Sequence, residues 1–368
     1  MASRVLIAND LPPLRNDLPR HPELDSLRAF AILGVMYTHF VNDDSMLGTL
    51  AVDLFFVLSG YLITGILLRC RTFIEAGESS VPAILRTFYL RRCLRILPVY
   101  YLCLFGLVLA GSQEVRDHVW WHATFNSNLL FVFKPFSEFT AHFWTLAVEE
   151  QFYLIWPVII LFTPRSKLLA VLLTVIACGP AYRLAGYAAG WSRNAMCILM
   201  PGSLDILAIG ALLAHVDVEK RWRPNLLRAG LCSTPVPLLL AAFPFFQATH
   251  LYILERTFCA LAFAWLISTS IGGAHSAAKG LRLRVLVNVG VVSYGAYVFH
   301  LVGGRLAAKT YAYLWGRELD RGLLLFILGT AMTLAIAAGS WKLVEQPINS
   351  LKRFLPYRSA RERVSQLS

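Results

Sequence analysis

An arginine and a histidine lie eleven positions apart in an apolar segment that is long enough to cross a membrane as a helix. Arg28 lies near the start of residues 24–41, and His39 lies near the end. Each helical residue turns the chain by about 100° and adds about 1.5 Å, so both side chains lie on one stripe, about 16 Å apart. Ionisable groups at membrane depth cost about 2.5–3.5 kcal/mol and usually face a protein interior. The pair therefore indicates a buried catalytic site. The alternative is that both side chains snorkel to opposite interfaces.

The next apolar run places a carboxylate at the same predicted depth as His39. Asp53 lies in residues 47–68, which would run antiparallel to the first segment. A carboxylate beside a histidine orients the ring or raises its basicity, so Asp53 is a candidate partner of His39. Ser59 and Gly60 follow in the same run, and small residues of this kind usually allow two membrane helices to approach closely.

Three arginines precede the third apolar run. Arg91, Arg92 and Arg95 have i, i+3 and i, i+4 spacings, so one helix would present them as a cationic face. Closely spaced guanidiniums favour a bound anion, and their planar forks match phosphate oxygens. The pattern therefore predicts either a site for a phosphorylated cytoplasmic ligand or ordinary attraction to anionic lipid headgroups.

Further ionisable groups lie inside later apolar runs. Glu149 and Glu150 are adjacent within residues 143–162, where their burial is expensive unless an arginine or a histidine pairs with them. The pattern indicates either a charge network with the arginines or a role in proton transfer, and both interpretations stay open. Asp205 and His300 are two more polar groups inside predicted membrane helices, and both are candidate site residues.

Composition places the chain among helical membrane proteins. Hydrophobic residues make up 57% of it, charged residues make up 15%, and its mean hydropathy is +0.58, whereas a soluble domain carries about 25% charged residues. The formal net charge of +12 comes from loops between apolar runs, so it does not indicate a nucleic-acid partner. The seven cysteines form no CxxC pair and no grouping with histidine, so no metal site is predicted.

The apolar runs predict an all-α, polytopic membrane fold with about ten transmembrane helices. Basic loops alternate with loops that carry few basic residues, so the positive-inside rule places both termini in the cytoplasm. The predicted organisation is a cytoplasmic leader over residues 1–23, a transmembrane domain over 24–345 and a basic cytoplasmic tail over 346–368. The segment 118–133 is predicted to be re-entrant or interfacial, because an eleventh span would invert the alternation of the loops. The predicted spans lie near residues 24–41, 47–68, 97–111, 143–162, 168–189, 199–215, 229–246, 256–273, 286–308 and 322–344.

Several motifs, in order along residues 21–355, carry a resemblance to a known family. The chain resembles the acyltransferase 3 family of bacterial integral-membrane O-acyltransferases. The motifs are Leu24-Asp-Ser-Leu-Arg28 with His39; Val52-Asp-Leu-Phe-Phe-Val-Leu-Ser-Gly-Tyr-Leu-Ile63; Arg92-Cys-Leu-Arg95-Ile-Leu-Pro98; Phe143-Trp-Thr-Leu-Ala-Val-Glu-Glu-Gln-Phe-Tyr153; Leu204-Asp-Ile-Leu-Ala-Ile-Gly-Ala-Leu-Leu-Ala214; Ser293-Tyr-Gly-Ala-Tyr-Val-Phe-His300; and Leu343-Val-Glu345-Gln-Pro-Ile348.

The resemblance implies a reaction and assigns roles to matching residues. Members of the family move an acyl group, often acetyl, from a cytoplasmic donor such as acetyl-CoA to a hydroxyl of a carbohydrate. Arg28 and His39 match the family's Arg/Lys-x10-His pattern, which is associated with transfer. Arg92 and Arg95 match its Arg-x-x-Arg motif, which is associated with the donor. Glu345 lies in the last motif and is a further candidate.

The chain departs from the family pattern at two places. Gly202 and Ser203 precede Asp205 where a basic residue is often expected, and Gln346 stands where arginine is frequent. In its length, its proline-rich leader and the sequence of several segments, the chain resembles one branch of the family. Members of that branch O-acetylate lipochitin oligosaccharide nodulation factors, on fucose or on N-acetylglucosamine. From this length we also expect a stand-alone transferase, without the C-terminal esterase-like domain that some members of the family carry.

The resulting hypothesis is a multi-pass O-acetyltransferase of the bacterial inner membrane. Acetyl-CoA is a co-substrate and not a permanently bound cofactor, and it docks from the cytoplasm on the arginine cluster, with Arg28 along the access path. His39 then acts as general base on the hydroxyl of a carbohydrate or lipid-linked oligosaccharide, or accepts the acetyl group and passes it on. The carboxylates of Glu149, Glu150 and Asp53 orient groups or relay protons.

Two other classes of protein fit the composition. A transporter or flippase of a lipid-linked sugar or acyl group would use the same polar residues as a translocation path, but no internal repeat is visible and the arginine cluster lies on one side only. A non-enzymatic membrane scaffold would have no use for so many costly intramembrane charges. The sequence favours the enzyme and leaves the acceptor hydroxyl, the acyl chain and the oligomeric state open.

Overall fold

The structure, a computed structural model of the chain, describes residues 21–219, 222–242, 252–271 and 280–357. Within these ranges the chain forms helices and turns and contains no strand, which confirms the all-α prediction. Most of the predicted leader and the end of the predicted tail lie outside the described residues, so the division into leader, membrane domain and tail stays a prediction.

Within the described ranges, most helices are joined by short connections. The α-helices of the described ranges are α1 (Pro22–Phe40), α2 (Leu47–Glu75), α3 (Val81–Leu109), α4 (Gln113–Asp117), α5 (Val119–Ala123), α6 (Ser127–Phe133), α7 (Phe143–Phe162), α8 (Arg165–Ala188), α9 (Arg193–Ile198), α10 (Leu204–Glu219), α11 (Arg223–Ser233), α12 (Pro235–Ala242), α13 (Tyr252–Ile271), α14 (Arg284–Val291), α15 (Ser293–Trp315), α16 (Leu323–Ser340) and α17 (Gln346–Ser350). A 3-10 turn, Met200–Ser203, leads into α10, a π-helical turn, Trp341–Glu345, joins α16 to α17, and a second 3-10 turn, Leu351–Phe354, follows α17.

Within the described residues, seven helices are long and apolar enough to cross a membrane, and there are eight spans if the bent pair α14–α15 counts as one. The chain is therefore a multi-pass membrane protein. Helix α1 has the length of a span, 19 residues, but it carries Glu23, Asp25 and Arg28. The predicted span 229–246 is divided between α11 and α12 and extends past the described residues. The count of ten spans and the cytoplasmic placement of the termini stay predictions.

The arginine cluster lies on the same continuous helix as the third span. Helix α3 begins after Ser80, whose hydroxyl oxygen accepts a hydrogen bond from the Ala83 N–H at 3.4 Å. The helix continues through Pro98, although proline donates no backbone hydrogen bond. Membrane helices often tolerate a proline in this way. The cationic segment and the predicted span 97–111 are thus one rigid element, which carries the arginines into the bundle.

Two other segments differ in shape from a straight span. Residues 118–133 contain two short helices, α5 and α6, with Trp120 and Phe133 strongly exposed. The segment therefore does not form a full span, in agreement with the prediction that it is re-entrant or interfacial. The predicted span 286–308 is bent by 75° between α14 and α15. A Cβ atom at Gly290 of α14 would overlap the main chain of Asp25, so α14 lies directly against α1.

Helix α2 is the centre of the bundle and packs against α1, α7, α10 and α13. Its contact with α10 is a crossing of two backbones. A Cβ atom at Gly60 would overlap the Leu207 carbonyl, and one at Gly210 would overlap the Val57 carbonyl. Gly60 therefore has the packing role that the sequence indicated, because two membrane helices can touch in this way only where side chains are absent.

This crossing predicts a large loss of stability on adding one methyl group. The Gly60→Ala substitution is expected to lower the free energy of unfolding by about 3 kcal/mol, the upper end of the range for overpacked cores, because the opposing atoms are main chain and cannot rotate away. The matched control is Gly106→Ala in α3, where no atom lies within 4 Å of the added Cβ. Thermal unfolding of both variants in detergent measures the difference. Equal melting temperatures for the two variants would contradict the crossing.

Candidate active site

A cavity of about 350 Å³ lies between α1, α2, α3, α7 and α15. Its walls are the helix faces that carry the sequence-predicted groups, and six cations face three carboxylates. The charged residues that line it are Asp25, Arg28, Arg69, Arg91, Arg92, Arg95, Glu149, Glu150 and Lys352. The structure thus brings most of the predicted ionisable groups of the first four spans into one chamber with a surplus of positive charge.

Arg92 and Arg95 are two half-buried cations on the cavity wall. Within the described ranges, neither guanidinium lies within ion-pair distance of a carboxylate. The Arg92 guanidinium lies 5.5 Å from the ring centroids of both Phe88 and Tyr153, so two aromatic faces hold it in place. A pair of neighbouring guanidiniums that makes no direct ion pair with a carboxylate is suited to a multiply charged anion.

Arg28 of α1 and Glu149 of α7 both line this chamber. The Arg28 Nη1 atom donates to the Asp25 Oδ1 atom of its own helix at 3.0 Å. The Glu149 Oε1 atom accepts a hydrogen bond from the Ser59 hydroxyl at 2.6 Å. Glu149 also interacts electrostatically with Arg28 and with the arginines of α3. Ser59 therefore does more than allow close helix packing, because it links α2 to a carboxylate of the cavity.

Arg91 has a different environment from the other two arginines. Its Nη1 atom donates to the Leu355 carbonyl at 3.0 Å, and its guanidinium lies 5.0 Å from the centroid of the Tyr357 ring. Arg91 therefore holds the C-terminal segment against the cavity, while its predicted donor-binding role stays a prediction. Lys352 and Tyr357 of that segment line the cavity themselves, and no sequence pattern indicated that the chain returns there.

Two hydroxyl groups of the cavity wall are hydrogen-bonded to each other. The Thr145 Oγ1 and Tyr297 Oη atoms are 2.6 Å apart and share a hydrogen bond, and both residues line the cavity. The Tyr297 ring lies 5.4 Å from the His142 ring and 5.6 Å from the His300 ring, centroid to centroid. A single layer of side chains therefore separates the chamber from a group of histidines.

Three histidines, which we call the imidazole cluster, lie beyond this layer. The His300 ring lies 5.1 Å from the His39 ring and 4.6 Å from the His142 ring, centroid to centroid. His142 and His300 are buried, whereas His39 is half-buried. His39 interacts electrostatically with Asp43 and Arg321, which themselves form an ion pair between two loops. Among the described residues, no group of His, Cys, Asp or Glu side chains is placed to hold a metal ion.

Asp53 and Asp205 belong to a separate buried network. The Asp53 Oδ1 atom accepts a hydrogen bond from the Arg256 Nη2 atom at 2.6 Å, so its predicted role as the partner of His39 is wrong in geometry: it faces α13 and not the imidazole cluster. Asp205 is paired with Arg183 of α8 through two hydrogen bonds, of 2.9 and 2.7 Å. Asp205 thus has a basic partner, Arg183, although no basic residue directly precedes Asp205 in the sequence.

The last motif contributes a buried carboxylate at a break in the helix. Glu345 ends the π-helical turn after α16, and its Oε1 atom accepts a hydrogen bond from the Ser340 hydroxyl at 3.4 Å. A Cβ atom at Gly295 of α15 would approach this oxygen closely, so the carboxylate packs against α15. The predicted residues outside the cavity lining are therefore His39, Asp53, Gly60, Asp205, His300 and Glu345.

Sequence reasoning missed several residues of these sites. His142 lies at the edge of an apolar run, where a histidine is usually solvated. Tyr297 lies in the motif of residues 293–300, in which His300 was the residue chosen as a candidate. Arg183 and Arg256 are single arginines near the ends of apolar runs. An arginine in such a position is itself a signal, since a buried guanidinium needs a carboxylate on another helix.

Comparisons with known proteins support the family and a set of relatives. A family described as an acyltransferase domain matches residues 21–342. YrhL of Bacillus subtilis, whose name describes it as a candidate peptidoglycan O-acetyltransferase, is 30% identical over 308 residues, which cover 76% of this chain and 48% of YrhL. Peptidoglycan O-acetyltransferase OatA of Listeria monocytogenes is 29% identical over 368 residues, which cover 89% of this chain and 55% of that protein. O-acetyltransferase OatA of Staphylococcus aureus is 26% identical over 364 residues, which cover 90% and 57%.

The chain spans about half the length of these curated relatives. No solved structure matches it. The family match includes α1, the imidazole cluster and all of the cavity lining except Lys352 and Tyr357, and it covers every motif that carried the resemblance except the last one. The chain belongs to the acyltransferase 3 family.

Proposed function

We propose that this chain is an inner-membrane O-acyltransferase that moves an acyl group, acetyl in the first instance, from acyl-CoA to a hydroxyl of a carbohydrate. The observation that carries the proposal is the pair of half-buried guanidiniums, Arg92 and Arg95, on the wall of a chamber that leads towards His39. The phosphates of coenzyme A provide the multiply charged anion that such a pair binds. Acetyl-CoA is a co-substrate in this account.

The residues divide the reaction into a donor chamber and a transfer site. The phosphates bind at the arginines of α3, and the thioester arm extends past Glu149 towards Thr145 and Tyr297 at the end of the cavity. His39 removes the proton of the acceptor hydroxyl as its oxygen attacks the thioester carbonyl. A new C–O bond forms, the C–S bond breaks, and the departing thiolate takes the proton back from His39, so that the free thiol of coenzyme A leaves.

In this proposal the acceptor of the acyl group is a carbohydrate. The relatives' names specify peptidoglycan for two proteins, and the resemblance of the chain to the nodulation branch indicates a lipochitin oligosaccharide. Both are chains of amino sugars with free hydroxyls. His39 is half-buried at the end of α1 opposite to the arginines, so the acceptor approaches from the side of the bundle that lies opposite to the donor.

The test of this function is label transfer in membranes that contain the chain. Acetyl-CoA labelled in its acetyl group is supplied with lipochitin oligosaccharide, with or without fucose, or with peptidoglycan fragments. Label on a sugar, released by mild base as expected for an ester, supports the proposal, and the fucose comparison narrows the acceptor. Unmodified sugars in every arm, together with movement of a sugar lipid across the membrane, would instead identify a transporter.

The same chamber predicts a graded effect of the three arginines. Arg92→Ala and Arg95→Ala are each expected to raise the KM for acetyl-CoA by about 10–100-fold, because each removes a charged hydrogen bond worth about 1.5–3 kcal/mol. Arg91→Ala is expected to raise it less than about tenfold, since Arg91 acts through the C-terminal segment. Initial rates against acetyl-CoA concentration measure the three KM values. An Arg91 variant that is worse than both others would overturn the assignment.

A further inference from the structure

The imidazole cluster contains two histidines whose protons are fixed by backbone carbonyls. The Nε2 atom of His142 lies 3.1 Å from the Val298 carbonyl oxygen, and the Nδ1 atom of His300 lies 2.7 Å from the Tyr297 carbonyl oxygen. A carbonyl oxygen only accepts hydrogen bonds, so each of these ring nitrogens carries the proton and donates it. In the neutral ring, the other nitrogen then holds a lone pair.

Those remaining nitrogens have no partner. Among the described residues, the Nδ1 atom of His142 and the Nε2 atom of His300 are buried without a hydrogen bond. Buried polar atoms in native proteins are nearly always satisfied, and an exception often marks a site where a ligand or a moving group completes the bond. A donor is therefore missing from the centre of the cluster.

His39 is the group that can supply this donor to His300. The His300 ring lies between the other two rings and 5.1 Å from that of His39, centroid to centroid, with an angle of 37° between the planes. Two imidazoles joined by an N–H···N hydrogen bond have centroids about 5 Å apart, given a nitrogen-to-nitrogen distance of about 2.9 Å. The separation already suits the bond, and a rotation of the His39 side chain would complete it.

We propose that His300 is a positioning residue for His39: its Nε2 lone pair accepts the N–H of His39, which directs the lone pair of the other His39 nitrogen to the acceptor hydroxyl. The inference rests on the proposed transfer function and adds to it the group that sets the tautomer of the base. It replaces Asp53, which is bound to Arg256. A neutral imidazole in this place orients the base without adding a negative charge to the buried cluster.

The groups around the His300 ring determine which other interactions act on it. The His300 ring contacts His39 and Phe40 from α1, His142 from the start of α7, and Tyr297 from its own helix. Within the described residues, no carboxylate contacts the His300 ring, so the proposed hydrogen bond from His39 to the Nε2 atom is the interaction between the two rings that a substitution would remove.

Three substitutions of His300 separate a positioning role from a packing role. His300→Ala removes both volume and lone pair, His300→Leu fills the volume without a lone pair, and His300→Gln places an amide oxygen near the position of the Nε2 atom. We expect the Ala and Leu variants to lose about 10–100-fold in kcat, as is common when the group that orients a reactive histidine is removed. The Gln variant is expected to stay within about fivefold of wild type, and the KM for acetyl-CoA to stay within about twofold in all three.

The results of these substitutions distinguish failure of the positioning role of His300 from failure of the proposed transfer function. A Leu variant as active as the Gln variant, or a Gln variant as inactive as the Leu variant, overturns the positioning role while wild type still transfers label. Absence of transfer by wild type overturns the proposed function itself. A second measurement does not depend on how the variants fold: ¹⁵N spectra of histidine-labelled wild-type protein, with His300→Leu for assignment. Protonation of His300 on Nδ1 supports the inference, and protonation on Nε2 in the neutral ring contradicts it.

Discussion

Replacing His39 by alanine is expected to lower kcat for acyl transfer by about 10²–10⁴-fold, the usual contribution of a general base. The KM for acetyl-CoA is expected to change by less than about twofold, because His39 does not line the donor cavity. The difference between the effects on kcat and on KM follows from the geometry: Thr145 and Tyr297 line the cavity, whereas His39 lies outside its lining in the imidazole cluster. Rates at saturating acetyl-CoA and acceptor measure the loss.

The control for this prediction is another histidine outside both sites. His118 lies at the start of α5, and its Nδ1 atom lies 3.0 Å from the Glu114 carbonyl oxygen in an exposed position. His118→Ala is expected to leave kcat unchanged, and both variants should insert into membranes to the same level. A His39→Ala enzyme that keeps kcat within about threefold of wild type would remove His39 from the chemistry.

Breaking the buried pair of Arg183 and Asp205 is expected to cost about 3–5 kcal/mol of stability, as is typical when one member of a buried ion pair is lost. Both side chains are fully buried. Arg183 also donates to the carbonyls of Gly202 and Ile253 and to the Thr257 hydroxyl, so all its N–H groups are used. Arg183→Met would leave the buried Asp205 carboxylate without its ion-pair partner, and the protein is expected to unfold at a markedly lower temperature.

A double variant and an exposed pair provide the controls. Arg183→Met with Asp205→Leu removes both charges and is expected to recover most of the loss, because well-packed apolar residues often replace a buried pair without cost. Arg165→Met breaks the exposed pair with Glu75, whose side chains are 41% and 44% accessible, and should cost about 0–1 kcal/mol. The account fails here if Arg183→Met and Arg165→Met have the same thermal stability in detergent.

The sequence predicted the bundle and the cationic chamber for one physical reason. Charges inside apolar runs are costly, so they mark a protein interior. Arg28, Arg92, Arg95, Glu149 and Glu150 satisfied this criterion, and the structure places all five on one cavity. The order of the motifs on successive helices was enough to bring them together, because neighbouring antiparallel helices pack side by side.

The partners within the bundle could not be predicted in the same way. Whether Asp53 faces His39 or Arg256 depends on the rotation of α2 about its axis, and one residue of register changes that direction by about 100°. The crossing of α2 and α10 at Gly60 fixes the rotation, but the sequence does not tell which helix Gly60 meets. The same limit applies to Asp205, whose partner Arg183 comes from α8.

The imidazole cluster shows a second limit of the sequence. His142 is the residue before α7, and its place in the interior depends on the path of the preceding short helices. The tautomers of His142 and His300 depend on the carbonyls of Val298 and Tyr297, which no sequence pattern specifies. The role of Arg91 likewise follows from the return of residues 351–357 to the cavity mouth.

The central claim is that acyl-CoA enters from the arginine side and that its acyl group leaves on a carbohydrate through His39. The most direct test supplies labelled acetyl-CoA, which does not cross membranes, to sealed vesicles of either orientation with the acceptor on both faces. We expect label on the sugar with inverted vesicles, which expose the cytoplasmic face, and transfer that is lower by about 10²–10⁴-fold with His39→Ala vesicles. Equal transfer in vesicles of the opposite orientation, or undiminished transfer by the His39→Ala variant, would contradict it.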